Sequence, residues 1–134
     1  MTTEAAATVL AVETQVLVRI VLADYLRGCD YKVVEAANTD EAKLILGESD
    51  VKVDVALIAV DLIGASDGFA LARWIRENKP SIKVQLLGTI SKAATAAVDL
   101  CEEVHVLAPP YSHQALVDRI KRLLAIAVRN QETT

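Results

Sequence analysis

The chain is expected to fold as a doubly wound α/β domain with a parallel sheet, and three observations point there. Short aliphatic runs rich in Val, Ile, Leu and Ala alternate with segments of helical period, five of each along the chain. The composition is 53% hydrophobic but only 4% aromatic, so the core is aliphatic, as suits strands buried on both faces. The length of 134 residues fits one domain with a self-sufficient core.

Each element follows from local sequence. Thr8 to Val12 is an apolar strand, and a helix is expected from Gln15 to Arg27, with Val16, Ile20, Ala23 and Leu26 in helical spacing and Gly28 as its stop. Tyr31 to Ala36 reads as the second strand. Asn38 followed by Glu41 marks the start of a helix over Thr39 to Leu46. Val53 to Val60 is the third strand and Asp67 to Asn78 the third helix, with Pro80 beyond its end. Ile82 to Leu87 is the fourth strand, followed by an alanine-rich helix from Lys92 to Leu100. Val104 to Leu107 is expected as the fifth strand, Pro109-Pro110 as a rigid corner, and Ser112 as the cap of a last helix reaching Val128. The flavodoxin-like order 2-1-3-4-5 with five helices fits this length. One domain spans residues 1–134, with its core in 8–128 and frayed ends. Binding sites in such sheets lie outside the carboxyl ends of the strands.

Composition excludes several classes. The net charge of -4, with acids and bases interspersed, carries no basic stripe for nucleic acid. The longest apolar run, Val55 to Val60, is too short to cross a bilayer, and Met1 to Thr8 lacks a secretion signal. Cys29 and Cys101 are read as plain core or rim thiols in a reduced, cytoplasmic compartment. Cys101, Glu102, Glu103, His105 and His113 lack the repeated close ligand pair of a metal site. No nucleophile-base-orienter series is present, and Glu13-Thr14-Gln15 stands where a glycine-rich phosphate loop would follow the first strand.

From about Thr8 to Leu124 the chain resembles the receiver domain of response regulators, the modules that take a phosphoryl group from a histidine kinase onto one aspartate. The stretches that carry the likeness are Val9-Leu10-Ala11-Val12-Glu13, Tyr31 to Asn38, Asp67-Gly68-Phe69 and Pro109-Pro110-Tyr111-Ser112. The resemblance implies two acids after the first strand to hold Mg2+; Glu13 and Thr14 stand there, so half of the charge is missing. For the acceptor, matching Gly64 and Asp67-Gly68 without a gap selects Ala59, while a one-residue-shorter form of the motif selects Val60. Asp61 is reached only with deletions and is read as a solvated strand-end carboxylate. The hydroxyl position after the fourth strand is Gly88, with Thr89 next; the switching aromatic position is Val106; the lysine position is Pro109. Only Glu13 keeps its chemistry. The likeness also implies a cis bond between Pro109 and Pro110.

The expected function is a non-enzymatic, phosphorylation-independent, receiver-like interaction module of a bacterial two-component pathway, without cofactor or metal. Its expected partner is a protein such as a histidine kinase, with no nucleic acid and no membrane. The resemblance places the contact face on the fourth helix, fifth strand and fifth helix, at Ala93, Ala97, Tyr111, Leu116, Arg119 and Arg122, with a homodimer expected through the two helices. One alternative is a working response regulator phosphorylated on Asp61 with Mg2+, Glu13 and Thr89. Another is a small-ligand sensor using a pocket lined by Ala59, Gly88 and Pro109.

Overall fold

Aliphatic runs with no charge on either face need cover from both sides, and the observed architecture supplies it. The computed structural model describes residues 7–48, 50–62, 66–104 and 113–132. Strands β1 (Thr8–Val12), β2 (Lys32–Ala36), β3 (Val55–Ala59) and β4 (Lys83–Leu87) form a parallel sheet of order β2-β1-β3-β4. Helices α1 (Val16–Gly28), α2 (Thr39–Gly47), α3 (Gly68–Asn78), α4 (Ile90–Val104) and α5 (His113–Glu132) complete a flavodoxin-like fold. At the amino edge Asp54 ties three strands: its carboxylate and amide engage Thr8, and its carbonyl accepts from Lys83 N.

The two faces of the sheet carry separate cores. Val9, Val55, Leu57 and Leu87 pack with α1, α4 and α5, whereas Leu10, Val12, Ala56 and Ile58 pack with α2 and α3. This is the period-2 alternation of strands covered on both sides. Asn38 caps α2 by accepting from Glu41 N, and Glu41 Oε1 accepts from Ala37 N in return. Asp67 caps α3 through Ala70 N.

Several expectations need correction. The sheet has four strands among the described residues, not five. Val104, expected to open the fifth, belongs to α4, and residues 105–107 lie outside the described set, as does the Pro109-Pro110 bond. α4 runs longer because its apolar stripe continues through Val98, Leu100 and Cys101, all buried. The stripe that α1 buries is Val18, Leu22, Ala23 and Leu26, while Val16 and Ile20 are exposed, since the helix turns a different face to the sheet. The left-handed residue ending α1 is Asp30, with φ 73°, rather than Gly28. Phe69 on α3 is exposed, whereas Trp74 packs beside α2 with Lys43 Nζ 5.2 Å from its ring centroid.

α4 and α5 lie antiparallel. The end of α4 sits at the amino edge, where Glu103 pairs with Lys83 at 3.8 Å, and there Glu102 meets His113 at the start of α5. The beginning of α4 and the later turns of α5 meet again at the carboxyl edge, where Ala93 and Leu124 line one cavity.

The two cysteines, read from the sequence as plain thiols, are joined as the Cys29–Cys101 disulfide, which ties the end of α1 to α4. Their separation of 72 residues hid a spatial neighbourhood that the fold closes to a Cα distance of 5.4 Å. Beside it, Tyr31 OH donates to the Leu100 carbonyl. A disulfide typically stabilises a fold by roughly 2–4 kcal/mol. Reduction by dithiothreitol should therefore lower the urea midpoint, and a Cys29→Ala/Cys101→Ala variant should melt at the reduced protein's lower value and ignore the reductant.

Gly68, which opens α3, lies against the end of β3. A Cβ there would come within 2.1 Å of the Ala59 carbonyl oxygen and 2.9 Å of Val60 Cα, both backbone atoms. Gly68→Ala should cost roughly 1–3 kcal/mol by overpacking, read as a lower urea midpoint at unchanged m-value.

Candidate functional site at the carboxyl edge

β1 and β3 pair with Val12 opposite Ile58, so the next residues, Glu13 and Ala59, leave the sheet side by side. Ala59 is the last residue of β3 and is buried. Val60 turns away: its amide donates to Leu87 O at 3.4 Å, its carbonyl accepts from Gly68 N at 3.2 Å, and it does not line the cavity. Asp61 is exposed, as expected of a strand-end carboxylate, yet it lines the same cavity as Glu13.

That cavity measures about 320 Å³. Its rim holds Glu13, Thr14, Gln15, Ala59, Asp61, Gly88 and Thr89, and its walls come from α1, α4 and α5. Six positions singled out in the sequence for phosphoryl chemistry thus meet at one place: Glu13, Thr14, Ala59, Asp61, Gly88 and Thr89. Val106, Pro109 and Tyr111 lie outside the described residues.

Local geometry limits what each polar group can do. Glu13 N donates to Ala36 O at 3.0 Å, and Glu13 Oε2 accepts from Gln15 N at 2.9 Å as α1 begins. Burial pushes the Glu13 carboxyl above its ordinary value, with the nearby Asp61 charge adding to the rise and the Gln15 and Thr14 amides and Arg19 opposing it. Arg19 directs its guanidinium elsewhere, donating to the Glu13 backbone carbonyl at 2.8 Å and pairing with Glu35 at 3.1 Å. Thr14 Oγ1 donates to Ala37 O at 2.9 Å. Thr89 Oγ1 accepts from Lys92 N at 3.0 Å, at the start of α4. Gly88 brings no side chain to the cavity, and an added Cβ there would meet open space.

Two parts of the site escaped sequence reasoning. The apolar wall formed by Val18, Leu22, Leu124 and Val128 combines two i, i+4 pairs from helices far apart in the chain. The expected contact face also changes: Ala93 and Ala97 are buried, at 6% and 0% exposure, and serve to seat α4. Leu116 is half-buried, leaving Arg119 and Arg122 exposed on α5. At the opposite edge, His113 holds α5 to α4, with Nδ1 2.8 Å from Glu102 Oε1 and Nε2 3.7 Å from Asp99 Oδ1. These three side chains form the one His-and-carboxylate cluster of metal-ligating size among the described residues, and its geometry is that of an interhelix clamp.

The model of the response regulator receiver domain matches residues 9–121. The chain belongs to this family. Among solved structures, the receiver domain of the hybrid histidine kinase CckA is 26% identical, covering 88% of this chain and 99% of that one with a TM-score of 0.57. The signal receiver domain of an HD domain-containing protein from Pseudomonas fluorescens Pf-5 shares the fold at 23% identity, covering 100% and 98%, with a TM-score of 0.60. A response regulator from Thermotoga maritima does so at 22% identity, covering 90% and 98%, with a TM-score of 0.55. No curated protein matches the chain. No helix among the described residues is long and apolar enough to cross a membrane. Receiver domains are signalling modules that interact with kinases and other signalling proteins.

The raised Glu13 carboxyl has a signed consequence for this receiver. The folded state binds its proton more tightly than the unfolded chain, so stability from protonation grows as pH falls through the raised value toward 4.5. Above that window the half-buried charge destabilises the fold. Glu13→Gln should raise the melting temperature by a few degrees at neutral pH, and the gap should close as pH approaches 4.5. A constant gap across that range would contradict this assignment.

Proposed function

We propose that this receiver acts as a phosphorylation-independent, non-enzymatic protein-interaction module in a two-component pathway. One observation carries the reading: the β1–β3 register sets Ala59 beside Glu13 at the strand ends, and a methyl group cannot accept a phosphoryl group. The surrounding chemistry agrees. Thr14 turns its hydroxyl to Ala37, Gly88 offers no side chain, and no Lys or Arg lines the cavity among the described residues. Phosphoryl transfer depends on charge stabilisation at several oxygens, and this set supplies almost none.

The partner is a kinase or another signalling protein, bound through a surface whose shape does not depend on a phosphoryl group. Self-association through α4 and α5 would have to use α5, because the small side chains of α4 are buried; Leu123 and Ile126 on α5 are 44% and 45% exposed. Mg2+ has no role in this reading.

A second reading is favoured by one specific observation. Asp61 lines the same cavity as Glu13 and could take the phosphoryl group from an offset position with Mg2+. Incubation with acetyl phosphate and Mg2+, followed by intact-mass measurement, separates the two. No phosphoryl adduct is expected. An adduct that disappears in Asp61→Asn would overturn the proposal and establish the offset acceptor.

A further inference from the structure

We propose that the carboxyl-edge cavity binds a small organic cation with an apolar tail, of the class of protonated primary amines. The inference rests on the reading that this site takes no phosphoryl group.

Volume and lining set the size and the tail. The cavity, about 320 Å³, lies at the small end of the roughly 300–1,000 Å³ typical of ligand pockets. Val18, Leu22, Leu87, Ala93 and Leu124 give it aliphatic walls drawn from α1, β4, α4 and α5. An alkyl chain seated there would exchange water for aliphatic contact.

Charge sets the head group. Glu13 and Asp61 line the same cavity, Glu13 half-buried and Asp61 exposed. The nearest guanidinium, Arg19, is bonded to the Glu13 backbone carbonyl and to Glu35. No Lys or Arg lines the cavity among the described residues, and the sequences of 63–65 and 105–112 contain neither. An anionic ligand therefore finds no fixed cation, and a neutral ligand leaves the two carboxylates repelling. An ammonium group at the rim would pair with both, and its N–H groups would donate to their oxygens.

A hard dication is served less well. Mg2+ demands near-octahedral oxygen coordination, and the neighbouring Thr14 hydroxyl is turned to the Ala37 carbonyl. An ammonium needs only two or three acceptors and brings its own apolar partner for the walls.

The test is a titration of isotope-labelled protein with n-hexylammonium, 1-hexanol and hexanoate, followed by amide NMR. Hexylammonium should shift the Gly88, Thr89 and Ala93 amides and bind roughly tenfold or more tightly than hexanol, the effect of one charge-assisted pair. Hexanoate should bind weakest. Glu13→Gln/Asp61→Asn should erase the preference of hexylammonium over hexanol, and Leu124→Trp, with its melt checked by circular dichroism, should abolish binding of both. Hexanoate binding as well as hexylammonium, a preference that survives neutralisation of both acids, or unshifted amides would each overturn the proposal. Phosphorylation is assayed separately with acetyl phosphate: an Asp61 adduct defeats the phosphorylation-independent reading, whereas absent amine binding without an adduct defeats this inference alone.

Discussion

Two strands without a charged side chain, β1 and β3, must be covered on both faces, and most of the structure answers that demand. Every residue of Val55–Ala59 is buried, as are four of the five in Thr8–Val12. Parallel strands require crossovers, and the crossover helices supply the cover. The two strands therefore sit at the centre of the sheet, flanked by β2 and β4. Their register then sets which side chains leave the carboxyl edge together. Glu13 stands beside Ala59 because Val12 stands beside Ile58.

The chemistry at that edge follows from the charges that line it. A phosphoryl site balances concentrated negative charge with a metal ion and a cationic side chain. This edge keeps the carboxylates Glu13 and Asp61 without a lysine or arginine among the described lining residues. Glu13 responds as a half-buried carboxyl near another acid should, by holding its proton more tightly. Its retention is intelligible structurally too, because its carboxylate accepts from Gln15 N where α1 starts.

The alanine-rich helix shows how packing can reassign a sequence feature. Small side chains at Ala93, Ala94, Ala96 and Ala97 would suit a close-approaching partner, but here they let α4 settle against the core formed with α1 and α5. Cys29–Cys101, the Tyr31–Leu100 hydrogen bond and the Asp99–His113–Glu102 clamp then fasten that helix at its far end. The part of this receiver that its family likeness marked for contacts is thus partly interior, and α5 carries the exposed remainder.

Local signals were legible along the chain. Asn38 with Glu41 and Asp67 before Gly68 named helix starts that rest on hydrogen bonds within four residues. β1 was readable to the residue, whereas the third strand, expected over Val53 to Val60, is Val55–Ala59. The sequence by itself thus determined the α/β class, the apolar central strands and the helix starts, because each depends on periodicity or short-range spacing. Only the tertiary structure decided the face that α1 buries, the length and seat of α4, the Cys29–Cys101 pairing and the apolar wall beneath Glu13 and Asp61. Those depend on contacts between residues tens of positions apart, where no local preference acts and packing alone chooses the neighbour.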